Sequence, residues 1–512
     1  MKKRLSKKQM IIFSVGQFGW SLLGGIISAW LVTYFLPTST DVGFGGHAIQ
    51  YIVPGLAIGG FLTVLGLITA LSRVFDAITD PLIASLSDRS KNPRGRRIPF
   101  MQIASIPFAA VTVLLFTIDF GAYDSSLGWL NVLWVSVMIV LFYLFMTMYC
   151  TPYNALISEF GQNQEDRMFI STAISFTYLF GTLIAYLPFV LAGVNYDSKT
   201  DTYSPKLIAG LLKNAGLADS AAFAWSYRIC FIVLAVIALV ALLLPTFLLK
   251  ETDFIEPKPS NENVFKSLVA TFKNKDFRVF SLSDIMYWVG LTMFQTGLPY
   301  FVRISMGFDA GLVMLFMGGM TILAAVFYPF VTKFVKKFGK KKLVIAGFLG
   351  LALCYGIAAI SSIPGVCPEQ GEGATGLSWM FGVLIMIISA LPMALLGIIP
   401  QSIVADVAEA EAKTTGQNRE GMFFAARTFA MKFGQSLAMI LFTSLSVALA
   451  GSTDPNEIFP NKLGMVVVAI TAVVFCVLGA VILFFYREKK VMMTIAKEED
   501  AEFLKVVEQE KE

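Results

Sequence analysis

The chain has 512 residues, of which 56% are hydrophobic and only 15% charged, with a mean hydropathy of +0.70 and a formal charge of +5. A soluble protein carries about 25% charged residues, and here apolar runs of roughly 18 residues or more recur along the whole length. A soluble globular chain is thereby excluded and a polytopic membrane protein is expected. The positive excess is no nucleic-acid signal, because the basic residues fall in short loops between apolar runs.

Twelve apolar segments are expected to be helical spans, at about 11–36, 53–87, 98–120, 129–157, 168–194, 226–249, 281–305, 311–335, 343–363, 377–404, 421–449 and 463–486. The first is too long for a signal-peptide core and is expected to stay in the mature protein. An even number of spans puts both termini on one side. The loops on that side, with the termini, hold 31 of the 40 Lys and Arg residues; the loops on the other side hold six, Arg228 and Arg303 among them. The positive-inside rule then makes both termini cytoplasmic. A location in the cytoplasmic (inner) cell membrane is expected.

The polar stretch 251–280 contains Pro257 and Pro259 and reads as a cytoplasmic linker between residues 1–250 and 281–486, with 487–512 as a cytoplasmic tail. A weak internal repeat supports two halves of six spans. Gly161-Gln-Asn163 is echoed by Gly416-Gln-Asn418, and the basic loop Arg94-Gly-Arg-Arg97 by Lys336-Lys-Phe-Gly-Lys-Lys-Lys342. The tail spaces Val491, Ile495, Phe503, Leu504 and Val507 at near-helical intervals, as a short amphipathic helix would. The stretch 195–225 reads as an ordinary exposed loop, and His47 as a solvated residue in another. Cys150, Cys230, Cys354, Cys367 and Cys476 show no paired spacing, so neither a disulfide framework nor a metal centre is expected from them.

The second segment ends in Arg73-Val-Phe-Asp-Ala-Ile-Thr-Asp-Pro81. Arg73, Asp76 and Asp80 share one helical face by their spacing of three and four. Ionisable groups inside a span are costly and mark a pathway or cavity. Two carboxylates there suit a hard monovalent cation or a shared proton, and Thr79 can add an oxygen ligand. The eleventh segment carries Arg427 and Lys432. Counted inward from Gly421 and Asp88, Lys432 and Asp76 lie at matching depths of ~16 and ~18 Å, so the lysine and the two aspartates are expected to meet across a central cavity.

Arg73-x-x-Asp76-Ala-x-x-Asp80-Pro81, Pro152, Ala405-Asp406 with Glu409, Arg419-Glu-Gly421 and Lys432-x-Gly434 together resemble the glycoside–pentoside–hexuronide:cation symporters, a family typified by melibiose permease. The resemblance covers nearly the whole chain. It implies an all-α membrane protein of twelve transmembrane helices in two six-helix halves, the major facilitator fold. It also implies a secondary active transporter, in which Asp76 and Asp80 bind Na⁺ or a proton and Lys432, with Arg73, couples that site to the solute. Residues around Asn154 would line the solute pocket. The resemblance has gaps as well: Ser21, Cys150 and Asn154 stand where melibiose permease has an aspartate, an acidic residue and a tryptophan, and an arginine of its fifth span is replaced near Ser175. The galactoside-binding set is largely missing while the cation set is intact. The solute can be another sugar, a glycoside, a uronide or a non-sugar; animal relatives that carry lysolipids keep the same aspartates and lysine.

A sugar needs hydrogen-bonding side chains and a flat aromatic face. Candidates are Gln17, Trp20, Ser21 and Tyr34 in span 1, Tyr149, Tyr153 and Asn154 in span 4, and Trp288, Thr292 and Gln295 in span 7. An enzyme is not expected, because the chain has no His-rich motif, P-loop or Cys/His pair. The expected partners are a small solute, a monovalent cation and the bilayer, with no nucleic acid and no cofactor beyond the coupling ion. The protein is expected to be a monomer.

Overall fold

A computed structural model describes residues 4–45, 50–88, 90, 92–161, 164–254, 271–415 and 420–496. His47, most of the linker, residues 416–419 and the tail positions Phe503, Leu504 and Val507 lie outside them. In hydrocarbon every backbone donor and acceptor must be satisfied inside its own segment, so long apolar runs become helices. The long helices are α1 (Lys7–Phe35), α3 (Val64–Asp88), α4 (Ile98–Thr117), α5 (Trp129–Phe160), α6 (Gln164–Ile184), α9 (Asp219–Leu248), α10 (Lys275–Tyr300), α11 (Leu312–Phe338), α12 (Lys340–Ser361), α13 (Gly376–Thr415), α14 (Glu420–Ser446) and α15 (Lys462–Leu483). Short helices α2 (Ser39–Gly45), α7 (Pro188–Leu191) and α8 (Leu207–Asn214) lie between them.

Among the described residues nine of these helices are long and apolar enough to cross a membrane. The long helices outside that group are α3, α10 and α14, and they carry Arg73, Asp76 and Asp80; Asp276, Arg278 and Asp284; and Arg427 and Lys432. In these three the apolar run is interrupted by ionisable groups inside the helix.

Two bundles result. In the first, α1 packs on α6 and α9, and α4 on α5 and α9; in the second, α12 packs on α13 and α15, and α10 on α14 and α15. Small residues set the spacing. A Cβ on Gly19 would lie 2.8 Å from the Ala238 carbonyl oxygen and 2.8 Å from the Leu242 side chain, so α1 and α9 touch at backbone distance. The bundles meet mainly along α3 and α14. Bonds from Thr63 to Thr443, from Ser436 to Ala70 and from Lys432 to Asp76 make this pair antiparallel. We call the end where α1 begins and α15 finishes the terminal face, and the opposite end the far face.

Several boundaries differ from the sequence expectation. The segment expected from residue 53 turns helical only at Val64, because Gly59 and Gly60 take φ of +62° and +72° and break the run. Helix α9 starts at Asp219 and takes in Arg228, expected in a loop; its guanidinium is buried on Tyr51 (3.0 Å) and Asp119. The seventh long helix begins at Lys275 rather than 281, with Asn274 capping the Phe277 amide. Residues 195–225 are not a plain loop. Strands β1 (Val194–Asp197) and β2 (Thr202–Pro205) form an antiparallel hairpin followed by α8, and Ser198 N donates to the Gly371 carbonyl of the other half at 2.9 Å. In the tail, residues 488–496 are helical, with Val491 and Ile495 buried.

Candidate functional site

The Lys432 ammonium has three protons to place and three oxygens around it. Its Nζ lies 2.8 Å from Asp76 Oδ1, 2.6 Å from Asp80 Oδ2 and 3.2 Å from the Asp76 carbonyl oxygen. The lysine comes from α14 and both acids from α3, so the cluster bridges the halves. Pro81 follows Asp80 directly and removes one helical donor, loosening α3 at that turn. The Asp76 side chain is fully enclosed, whereas 24% of Asp80 is exposed, so Asp80 is the open edge of the site.

Thr147 of α5 completes the cluster. Its hydroxyl is 2.8 Å from Asp76 Oδ1 and 3.1 Å from Asp80 Oδ1, sharing one proton between the two carboxylates. Thr79, expected to add an oxygen, instead donates along its own helix to the Asp76 carbonyl at 3.0 Å. Arg73 stands at the back: Nη1 is 3.8 Å from Asp76 Oδ2, and the guanidinium carbon lies 4.4 Å from the centre of the Tyr143 ring. Asp76 Oδ2 makes no hydrogen bond and is buried. Its charged neighbour is the Arg73 guanidinium rather than the ammonium.

The arrangement has a direct chemical consequence. Carboxylate and hydroxyl oxygens are the ligands a hard monovalent ion prefers, and an ammonium already occupies the place between them. A cation entering from the Asp80 edge must displace the ammonium, or the ammonium must leave first. Either event breaks a buried contact between the halves, and a buried charge left without its partner is strongly unfavourable. Among the described residues no group of three or more His, Cys, Asp or Glu gathers as a metal cluster.

A second buried pair lies in the other half. Arg427 reaches Asp284 of α10 through Nε at 3.0 Å and Nη2 at 3.2 Å, a two-pronged contact. It ties α14 to α10 within one bundle, while Lys432 of the same helix ties it to the other.

The solute candidates scatter. Tyr149 and Tyr153 are fully buried and hydrogen-bond to the carbonyls of Leu242 (3.1 Å) and Phe13 (3.0 Å), so they pack helices of the first half together. Ser21 bonds back to Phe18 (3.1 Å) against Gly181, and Gln17 is also buried. These four present no open surface in this conformation. Trp20, Trp288 and Gln295 are half-buried and Asn154 is exposed. Trp20 sits 6.3 Å from the Tyr178 ring, and its buried indole nitrogen makes no hydrogen bond.

Comparison with known proteins follows the same lines. A family model described as MFS/sugar transport protein matches residues 12–489. An uncharacterized symporter of Bacillus subtilis, YjmB, is 28% identical over 89% of this chain and 86% of its own length. The isoprimeverose transporter of Lactiplantibacillus pentosus is 21% identical over 94% and 88%. The sodium-dependent lysophosphatidylcholine symporter 1 of Xenopus tropicalis is 31% identical, but over only 26% of this chain and 27% of its own. Among solved structures, that of a D-xylose-proton symporter superposes with a TM-score of 0.59 at 14% identity, over 94% of this chain and 98% of that one.

Proposed function

Since this chain belongs to the MFS/sugar transport family and is a transporter rather than an enzyme, we propose that it is a cation-coupled symporter of a sugar, glycoside or uronide. The observation that carries this reading is the Lys432 ammonium held between Asp76 and Asp80 at the seam of the halves. In the proposed cycle all twelve long helices span the cytoplasmic membrane, with both termini cytoplasmic. Na⁺ or a proton reaches the two carboxylates, Lys432 is released, and the halves can then close around a solute at mid-depth. One inward positive charge at 100 mV supplies ~2.3 kcal/mol, enough for roughly a fifty-fold gradient.

The match to a sugar transporter over nearly the whole chain favours a carbohydrate. The shorter match to a lysophosphatidylcholine symporter favours a lysolipid as the second reading. Calorimetry on purified protein separates them, with a panel of glycosides, pentosides, uronides and one lysolipid, in Na⁺ or choline and across pH. We expect one carbohydrate to bind at least tenfold more tightly with the coupling cation, and Asp76→Asn to erase that difference. Binding of the lysolipid alone favours the second reading. Solute binding indifferent to Na⁺, to pH and to the substitution removes the aspartates from the mechanism.

A further inference from the structure

The polar bonds between the halves are unevenly placed. At the terminal face the ion pairs stay within one half: Arg96 and Arg97 with Glu159, Lys340 with Asp406, Arg487 with Asp276. At the far face Arg228–Asp119, Lys213–Asp219 and Lys462–Glu369 also stay within one half, but one ion pair and several hydrogen bonds cross. Arg303 Nη2 lies 2.7 Å from Asp41 Oδ1, the Tyr300 hydroxyl donates to the Leu36 carbonyl at 2.7 Å, and Gln370 reaches Thr38 at 3.3 Å. Both members of the ion pair are almost wholly enclosed, at 10% and 12% exposure.

Both sides of this contact are built to hold it. Thr38 and Asp41 cap α2 reciprocally: Asp41 Oδ2 accepts from the Thr38 hydroxyl at 2.9 Å and from its amide at 3.3 Å, leaving Oδ1 to face Arg303. On the other side, α10 passes after Tyr300 into a π-helical turn, Phe301–Ser305, that carries Arg303. Such turns are uncommon and gather at functional positions.

We propose that the Asp41–Arg303 ion pair is the latch that holds the far face shut while the terminal face is open. The proposal rests on the alternating-access reading above. The latch is the only charge pair among those crossing at the far face of the described residues, so it must separate before solute can enter from that side. Its strength sets the share of molecules open in each direction.

Cys150 reports on this without any solute. It lies one turn beyond Thr147 on α5, beside the carboxylates. In sealed vesicles of each orientation, a membrane-impermeant maleimide should label wild-type Cys150 from the terminal face, with Cys150→Ser identifying the signal. Asp41→Asn and Arg303→Gln should each raise labelling from the far face at least fivefold, and the double exchange Asp41→Arg with Arg303→Asp should lower it again. Gel filtration and Arg303→Lys, which keeps the charge, guard against misfolding: folded Arg303→Lys should stay near wild type. Unchanged far-face labelling in both folded single variants overturns the latch. A loss of cation-dependent solute binding with the labelling pattern intact would count against the symporter reading and leave the latch standing.

Discussion

The Lys206 ammonium donates to the Phe189 carbonyl at 2.7 Å from a buried position between β2 and α8. Burial lowers its pKa, and the nearby Arg303 guanidinium lowers it further; Asp41 and Asp309 oppose them, and the result is about 8 against an ordinary 10.5. An unfolded chain therefore holds this proton between pH 8 and 10.5 while the folded chain has lost it. Stability should rise with pH across that window and lie flat below it, by an amount on the order of 3 kcal/mol. Thermal unfolding of wild type against Lys206→Met, followed from pH 7 to 10, checks this: the rise should vanish in the variant. The central cluster was legible in the sequence because charge inside an apolar run stands out and depth can be counted from the loop. Thr147 was not, since a hydroxyl in such a run usually bonds to its own helix, as Ser105 does to Met101 and Thr112 to Phe108. Nor were the Asp284–Arg427 and Asp41–Arg303 pairs, whose members are 143 and 262 residues apart and share no spacing rule.

At the scale of elements, the two halves repeat one device. The Glu251 carboxylate, just past α9, accepts the backbone amides of Arg96, Arg97 and Ile98 at 3.0, 2.8 and 3.0 Å, at the start of α4. In the second half Glu488, just past α15, accepts those of Lys340 and Lys341 at 2.7 and 3.3 Å, at the start of α12. Each clamp anchors an anion on a helix N-terminus, where the unpaired amides and the dipole favour it. Each also follows a glycine of positive φ, Gly95 at +120° and Gly339 at +82°. The basic loops that suggested the repeat were thus the visible half of a contact whose acidic half lies far along the chain. The two glycines differ in tightness. A Cβ at 95 would sit 2.3 Å from Glu251 Oε2, whereas one at 339 would be 3.3 Å from Glu488 Oε2. Gly95→Ala combines backbone strain with a clash and should cost about 1–3 kcal/mol; Gly339→Ala keeps the strain without the clash and should cost less. Melting temperatures of the purified variants give the order, and equal losses would mean that the carboxylate moves aside freely.

For the whole molecule, the proposed cycle requires a cation bound to one half to inform the other. The seam between α3 and α14 is held by neutral bonds at Thr63–Thr443 and Ser436–Ala70 and by one charged tie, Lys432 with the two aspartates. Neutral hydrogen bonds can slide or exchange at small cost, but an ammonium withdrawn from two buried carboxylates leaves unpaired charge on both sides. In the proposed cycle cation entry is therefore linked to the seam through competition for the same oxygens. There the lysine and the ion exclude one another, and part of the ion's binding energy goes into displacing the lysine. Replacing Lys432 by Gln keeps a donor on a side chain one atom shorter and removes the competing charge. The variant should bind Na⁺ more tightly, tenfold or more, and gain more melting temperature per decade of Na⁺ than wild type. It should at the same time lose concentrative uptake, because an ion that no longer displaces anything has no lever on the opposite half. A thermal titration with NaCl against choline chloride reads the first effect, and uptake into vesicles the second. If Na⁺ stabilises Lys432→Gln no more than wild type, the ammonium and the cation do not share a site, and the link between cation and seam must run through Arg73 and Asp76 instead.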